Sequence, residues 1–468
     1  MSGGADLPPG DNRPHRVGPE QAGDGLAIIH DCLAAGDTVQ AARLLAGEHP
    51  SDVAQLLEQL DADGRAQVVD LLRPDFDAEI LAYLPGDLRD ELIEQLNPAE
   101  LAAAVAELET DDAVDVIQDL DEQAQAEILA NLPPEARALV EEGLTFPEYS
   151  AGRLMSRAFV SVPVFWTVGG LLDYLRAAAV SADSDVPEQF YDIIVVDPML
   201  RVAGTVPLSR VLRAKRGVKL ADILHEDVHR IPATMDQEEV ARCFRKYGLV
   251  SAPVVDGAGR LLGVITVDDV VDVIEEEAEA DLLALGGVEE GDLYRAVLDT
   301  TKSRFRWLAV NLVTAIVASL VIGLFEATIQ QVVALAVLMP IVASMGGNAG
   351  TQTLTVAVRA LATRELSQAN ALRVVGKEVL VGAANGTLFA VIAGGVAYAW
   401  FHDPLIGLVI AAAMVVNLLC AGLFGALIPL VLDRLKIDPA VASGVFLTTV
   451  TDVVGFLAFL GLASWVLT

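Results

Sequence analysis

The chain has 468 residues, 53% of them hydrophobic, and sets 31 Lys and Arg against 65 Asp and Glu for a formal net charge of −34. That length allows several domains, and so large an acidic excess repels phosphate backbones and argues against a nucleic-acid partner. Its three cysteines, Cys32, Cys243 and Cys420, lie far apart in sequence and suggest neither a disulfide framework nor a thiolate metal site.

The charge is unevenly spread. Residues 1–300 hold 22 basic and 58 acidic side chains, whereas the chain from Thr301 onward holds nine and seven. An acidic soluble part is therefore joined to a nearly neutral apolar part. Carboxylate-rich surface suits hard cations such as Mg²⁺ or Ca²⁺; the plainer alternative is a coat that keeps the protein soluble.

Residues 1–23 are rich in Gly, Pro and Asp and lack an apolar signal-type segment, so they are expected to form a disordered tail. Proline-led units then recur every 24 residues, at His49-Pro50-Ser51, Arg73-Pro74-Asp75 and Asn97-Pro98-Ala99. Short amphipathic segments such as Val53–Leu60 and Ala66–Leu72 follow them, which predicts an α-helical solenoid over residues 24–148.

From Ser150 the pattern changes to short strands and helices. Phe190–Asp197 and Gly204–Leu208 read as strand, turn, strand, with a helix near Ser209–Lys215. The order returns as strand Ser251–Asp256, turn Gly257–Arg260, strand Leu261–Val267 and a helix from Asp268. This predicts a tandem α/β repeat, divided as 149–215 and 216–268. An acidic connecting helix and juxtamembrane segment follows over 269–302. Residues 261–294 carry eleven carboxylates and no Lys or Arg, and Asp268, Asp272, Glu276 and Glu279 crowd one face. Like charges at that spacing destabilise a helix. The run leads straight into the membrane part, which favours a divalent-ion sensor over a solvated charge run.

Residues 303–468 contain the uncharged stretches Trp307–Phe325, Ala327–Val358, Val379–Phe401 and Pro404–Leu432, and Pro439–Thr468 has the single charge Asp452. Each can supply the roughly 20 apolar residues that a membrane span needs, giving an all-α domain of five transmembrane helices. Lys302, Arg304 and Arg306 precede the first span, Arg359, Arg364, Arg373 and Lys377 occupy the second connection, and Arg434 and Lys436 the fourth. The positive-inside rule then puts the N-terminal domains in the cytoplasm and the C-terminus outside. Asp452, in Thr448-Thr449-Val450-Thr451-Asp452-Val453-Val454-Gly455, has no Lys or Arg in the other spans to pair with, so a cation is its natural partner. Pro340 to Thr353 includes Gly346, Gly347, Asn348 and Gly350, whose glycines permit either irregular, ion-lining backbone or close helix packing.

Gly263-Val264-Ile265-Thr266-Val267-Asp268-Asp269-Val270 resembles the closing motif of a CBS domain, and the repeat pair resembles a CBS tandem. CBS pairs often bind adenine nucleotides through a Thr and an Asp that match Thr266 and Asp269. The first copy has Pro207 and Arg210 at those places, so the resemblance implies weak ATP binding. With Ala151-Gly152-Arg153-Leu154-Met155, Pro340…Gly347-Asn348-Ala349-Gly350-Thr351-Gln352 and Thr451-Asp452-Val453-Val454-Gly455, the whole order resembles the MgtE family of magnesium channels and transporters.

That resemblance implies a homodimer in the plasma membrane, with Asp452 and Asn348 on a path for hydrated Mg²⁺. It implies cytosolic Mg²⁺ ligands at Glu79, Asp111, Asp115, Glu238, Asp269, Asp272, Glu277 and Asp281, which would hold the path shut when occupied. Gly248 and Ala280 stand where the family often has a carboxylate. Two other readings remain. One is a transporter of another divalent cation such as Mn²⁺ or Co²⁺, against which the lack of clustered His or Cys speaks. The other is a membrane-anchored CBS sensor that transports nothing, to which an intramembrane carboxylate would be of no use. No P-loop, nucleophile elbow or metal-hydrolase motif occurs, so no enzyme is expected.

Overall fold

The computed structural model describes residues 19–73, 76–118, 120–180, 186–187, 189–225, 227–288, 297–367 and 369–467. The chain forms two units, one ending at Glu277 and one starting at Ala278.

The first unit opens with helices α1 (Pro19–Ala35), α2 (Thr38–Leu45), α3 (Pro50–Gln59), α4 (Ala62–Leu72), α5 (Glu79–Ala82), α6 (Gly86–Ile93), α7 (Pro98–Val105), α8 (Thr110–Gln118), α9 (Glu122–Asn131) and α10 (Pro134–Leu144). Helix α1 begins inside the segment read as a tail, and residues 1–18 lie outside the described residues. The 24-residue period has a local cause at two of its three positions. Pro50 and Pro98 stand in the first turn of α3 and α7, where proline's fixed φ suits the helix and its missing N–H is not needed. Asn97 accepts from the Ala99 and Glu100 amides while Glu100 reaches back to the Asn97 amide, a reciprocal cap. Pro74 and Asp75 lie outside the described residues, and α5, which follows them, is a single turn. The apolar faces meet in a core of Leu56, Leu57, Ile80, Leu81, Leu88, Leu92 and Ile117, each worth about 2 kcal/mol of burial.

Two copies of one α/β repeat follow. The first comprises β1 (Val160–Pro163), α11 (Val168–Ala178), β2 (Asp192–Val196), β3 (Val202–Pro207) and α12 (Leu208–Arg213). The second comprises β4 (Ile231–Pro232), α13 (Gln237–Tyr247), β5 (Ser251–Val255), β6 (Leu261–Thr266) and α14 (Val267–Gly286). Each sheet has its first strand parallel and its third antiparallel to the middle one. The β–β–α order legible in sequence is thus the second half of a longer β–α–β–β–α unit. Strands β1 and β4 escape sequence reading because they are short and each contains a proline.

The β2–β3 and β5–β6 turns are built alike. Asp197 accepts from the Met199 and Arg201 amides and pairs with Arg201 at 2.9 Å. Asp256 accepts from the Ala258 and Arg260 amides and pairs with Arg260 at 2.7 Å. The arginine amide, foremost, holds each carboxyl below its usual range. Ile194, Val196, Val202, Val255 and Val264 join the two repeats in one apolar layer.

The second unit contains α15 (Val297–Gly323), the short α16 (Glu326–Gln331), α17 (Ala334–Ala362), α18 (Ala371–Phe401), α19 (Pro404–Arg434) and α20 (Pro439–Leu467). Five of these are long and apolar enough to cross a membrane. Helix α19 is the central one, packing on α17, α18 and α20. Helices α18 and α19 touch backbone to backbone. A Cβ on Gly382 would meet the Leu418 carbonyl at 2.5 Å, one on Gly394 the Gly407 carbonyl at 2.9 Å, and one on Gly422 the Glu378 carbonyl at 2.5 Å. Their connection is two residues long: His402, at φ 57°, ends α18, and the Asp403 carboxylate caps α19 by accepting from the Leu405 amide.

The irregular backbone that Pro340 and its glycines would permit does not occur: α17 is helical throughout, with Pro340 inside it. Gly346 and Gly350 serve packing instead, against Asn417 and Leu447. At the cytosolic end predicted from the charges, α14 stops at Gly287, whose φ of 67° lets its amide bond Ala284 O and the Val288 amide bond Leu283 O. The Trp307 indole lies against the bare Gly287 Cα. Ala284 and Leu285 pack on Leu354, Val358, Ala440 and Leu447 of α17 and α20.

Candidate functional site

Within the first unit, helices α8 and α14 both start on carboxylates: Asp111 and Asp112 in one, Asp268 and Asp269 in the other. Acids suit the positive end of a helix dipole, which explains each pair alone. Their shared surroundings need more. Ser156 donates to Glu109 at 2.7 Å, Arg153 to Gln118 at 3.0 Å, and Arg157 pairs with Glu142 at 2.8 Å, fastening the helical domain to the segment ahead of β1, which itself bonds the second repeat through the Ser156 amide to Val264 O at 2.8 Å. The start of α8 is thereby brought into the electrostatic range of the start of α14.

The charges that perturb these groups are almost all of one sign. Burial, then Asp269, Asp112 and Glu109, push the Asp111 carboxyl well above the usual carboxylate range. Burial, then Asp269, Glu109, Asp115 and Glu79, push Asp112 up to about 7. Burial pushes Asp269 up to about 6, against hydrogen bonds from Thr266 and with added repulsion from Asp268 and Glu109. Asp272 is raised by burial, then by Asp268 and Glu275. Tyr83 is raised by burial, then by Glu79, Asp112, Asp272 and Asp268, so acids from both domains converge on one phenol. Among the described residues Asp111 Oδ1 is buried without a hydrogen-bond partner. Such an atom carries a desolvation penalty that a proton or a cation would relieve. The oxygen-only donor set fits a hard cation, although among the described residues no three acidic, His or Cys side chains already converge as a metal cage.

The expected sensor residues divide. Glu79, Asp111, Asp269 and Asp272 belong to this acidic seam. Asp115 borders it but is engaged by Arg89 and by Gln118 at 2.8 Å. Glu238 is held by Arg242 at 2.6 Å within α13, and Glu277 accepts from Gln237 at 2.9 Å, linking α14 to α13. Asp281 lies on the part of α14 that belongs to the second unit. Sequence reading missed Asp112 and Glu109 as seam members; the run Glu109-Thr110-Asp111-Asp112 was the available signal. For nucleotide, Thr266 donates from its hydroxyl at 2.8 Å and its amide at 3.1 Å to Asp269, so these two side chains already bond each other. In the first repeat Pro207 ends β3, and Arg210 donates to Ile223 O at 3.0 Å.

In the membrane unit Asp452 is half-buried on α20, beside the buried Thr451, whose hydroxyl is spent on Leu447 O and Thr448 O. Asn348 is exposed on α17 and donates to the Ser344 hydroxyl at 3.3 Å. Sequence reading passed over two polar groups here. Glu378 is 7% exposed and accepts from Thr353 of α17 at 3.4 Å. Asn417 is fully buried on α19 and donates to Val342 O at 2.8 Å. The signal for Asn417 was present, since it is the one amide in the uncharged stretch Pro404–Leu432.

Comparison with known proteins bears on both units. Family models match as a divalent cation transporter over residues 339–462, as the MgtE intracellular N domain over 48–149, and as a CBS domain over 220–276. The chain is 35% identical over 449 residues to the magnesium transporter MgtE of Thermus thermophilus, covering 94% of this chain and 98% of that protein. It is 34% identical over 325 residues to the magnesium transporter MgtE of Enterococcus faecalis, covering 69% and 71%. Among solved structures it is similar to the cytosolic domain of the Mg²⁺ channel MgtE in complex with ATP, at 34% identity and a TM-score of 0.49, covering 53% of this chain and 99% of that one.

Proposed function

The chain belongs to the MgtE family of magnesium transporters, and on that premise we propose that it carries Mg²⁺ inward through its five-helix unit and shuts that path when cytosolic Mg²⁺ binds its acidic seam. The observation that carries the gating reading is the seam itself: Asp111, Asp112 and Asp269 are raised by burial and by neighbouring carboxylates, and Asp111 Oδ1 has no partner among the described residues. Packed without a cation, these groups repel; with Mg²⁺ they share it. The ion shifts the equilibrium by its differential affinity for the packed state, which is therefore the closed one.

Asp452 and Asn348 supply the path. Mg²⁺ sheds water reluctantly, so a half-buried carboxylate holds it through its waters and does not need a full ligand shell. Glu79, Asp111, Asp115, Asp269 and Asp272 would act at the seam, and Glu238, Glu277 and Asp281 along α13 and α14. The assembly is a homodimer in the plasma membrane, with the C-terminus outside, as the charge bias of the connections supports. Thr266 and Asp269 give ATP at most a weak site, because the matching places in the first repeat are Pro207 and Arg210. The test is cation uptake by vesicles holding the purified protein. Mg²⁺ entry that exceeds Mn²⁺, Co²⁺ and Ca²⁺ entry, and that falls as Mg²⁺ on the cytosolic face rises, is expected. Equal entry of all four overturns the selectivity, and no effect of cytosolic-face Mg²⁺ overturns the gating.

A further inference from the structure

Asn417 sits where the two helices of the proposed ion path meet the helix behind them. Its carboxamide is fully buried on α19 and donates from Nδ2 to Val342 O of α17 at 2.8 Å. Two glycines face it, one from each path helix. A Cβ on Gly346 of α17 would collide with Nδ2, and a Cβ on Gly455 of α20 would stand 2.8 Å from Nδ2 and 3.1 Å from Oδ1. Gly346 is two residues from Asn348 and Gly455 three from Asp452. A planar amide therefore fills a slot whose walls are the turns that carry both path residues.

The amide ties the two helices, because its Nδ2 donates across to Val342 O of α17. Oδ1 finds no partner among the described residues, a cost that leucine at this place would not incur. What the amide supplies and leucine cannot is one rotational setting of α17 against α19, with flat space left for α20.

We propose that Asn417 is a positioning residue of the ion path, which sets the separation of the Asn348 turn and the Asp452 turn and so the selectivity of the path among hydrated cations. It touches no ion itself. The proposal rests on the reading that the five-helix unit conducts Mg²⁺, and wild-type vesicles test that reading separately.

The experiment compares Asn417→Leu, Asn417→Ala, Gly455→Ala and the pair Asn417→Ala with Gly455→Ala in such vesicles. Mg²⁺ and Co²⁺ uptake are measured over a range of concentrations, alongside thermal stability in detergent. Asn417→Leu is expected to lower the Mg²⁺-to-Co²⁺ uptake ratio and change the half-saturating Mg²⁺ by about threefold to tenfold, the range expected for one interhelical polar contact in a membrane. Gly455→Ala, which forces a methyl against the amide, is expected to do the same. The pair, in which the new methyl occupies part of the vacated space, is expected to recover part of the ratio, a coupling that independent sites do not show. A general loss of folding lowers the amount of active protein without changing either ratio or half-saturation. The proposal is overturned if wild type conducts Mg²⁺ and Asn417→Leu keeps its ratio and half-saturation, or if the pair is worse than the sum of its single changes.

Discussion

The two units hold their carboxylates in opposite ways. In the cytosolic unit acids crowd one another, and burial first, then neighbours of the same sign, push the Asp111, Asp112 and Asp269 carboxyls above the usual range. In the membrane unit Asp452 stands alone in its helix among apolar and hydroxyl side chains. A crowd of acids stores repulsion that one ion can release, which makes it responsive over a range of concentration. A lone acid stores nothing and offers a place for an ion to pause. On the proposed reading the difference is the one between a sensor and a path, and four experiments can break or sharpen it.

The largest effect belongs to the lone acid. Asp452→Ala is expected to cut Mg²⁺ uptake by about tenfold or more, since nothing else in the last span offers a charge to a passing cation, while the protein keeps its size by gel filtration. Undiminished uptake would remove Asp452 from the path.

Next comes the crowd. Asp269→Ala with Asp272→Ala and Glu277→Ala removes ligands and repulsion together, so the absolute uptake has no fixed direction. Its regulation does: flux is expected to stop responding to cytosolic Mg²⁺ across the millimolar range, and Mg²⁺ is expected no longer to protect the cytosolic domains from proteolysis. A wild-type inhibition curve in this variant would reduce the seam to a solubility coat.

Protons should imitate the ion, more weakly. The folded-state values of Asp112, about 7, and Asp269, about 6, lie above the ordinary carboxylate range, so between roughly pH 4 and 7 the folded seam binds more protons than the unfolded chain. Stability therefore rises as pH falls through 7 and 6, and the full penalty stands at pH 8. In magnesium-free buffer the melting temperature is expected to be higher at pH 6 than at pH 8, and added Mg²⁺ to raise it less at pH 6, where it competes with protons. Asp112→Asn should flatten the profile. A melting temperature independent of pH in wild type would mean that the acids are not held apart from water as the geometry requires.

The smallest effect is expected for nucleotide. Titration calorimetry with ATP should give weak heats, because Thr266 and Asp269 face no equivalent pair in the first repeat; tight, stoichiometric binding would reverse that reading.

Much of this was legible in the sequence, and what was not had physical causes. The five spans, the proline period and the acidic run are patterns of composition, which survive without tertiary knowledge. Strands β1 and β4 are too short to form a pattern, and Pro163 and Pro232 read against strand. The seam joins Asp112 to Asp269 across more than 150 residues, a proximity set by Arg153, Ser156 and Arg157 at the domain junction and by nothing local. Glu238 and Glu277 read as equals of Asp111, yet folding gives them Arg242 and Gln237 as partners. Asn417 was visible as a lone amide, but its meaning depends on Gly346 and Gly455, which only the packing brings to it.

The short corner between α18 and α19 bears on how the protein is made. With His402 closing one helix and Asp403 opening the next, no slack separates them, and glycines along both faces let their backbones mate as soon as both have left the insertion machinery. The third and fourth spans can therefore pair as a hairpin on their own contacts. Helix α20, with Asp452, follows them in the chain and meets a wall already built to receive its one charged residue.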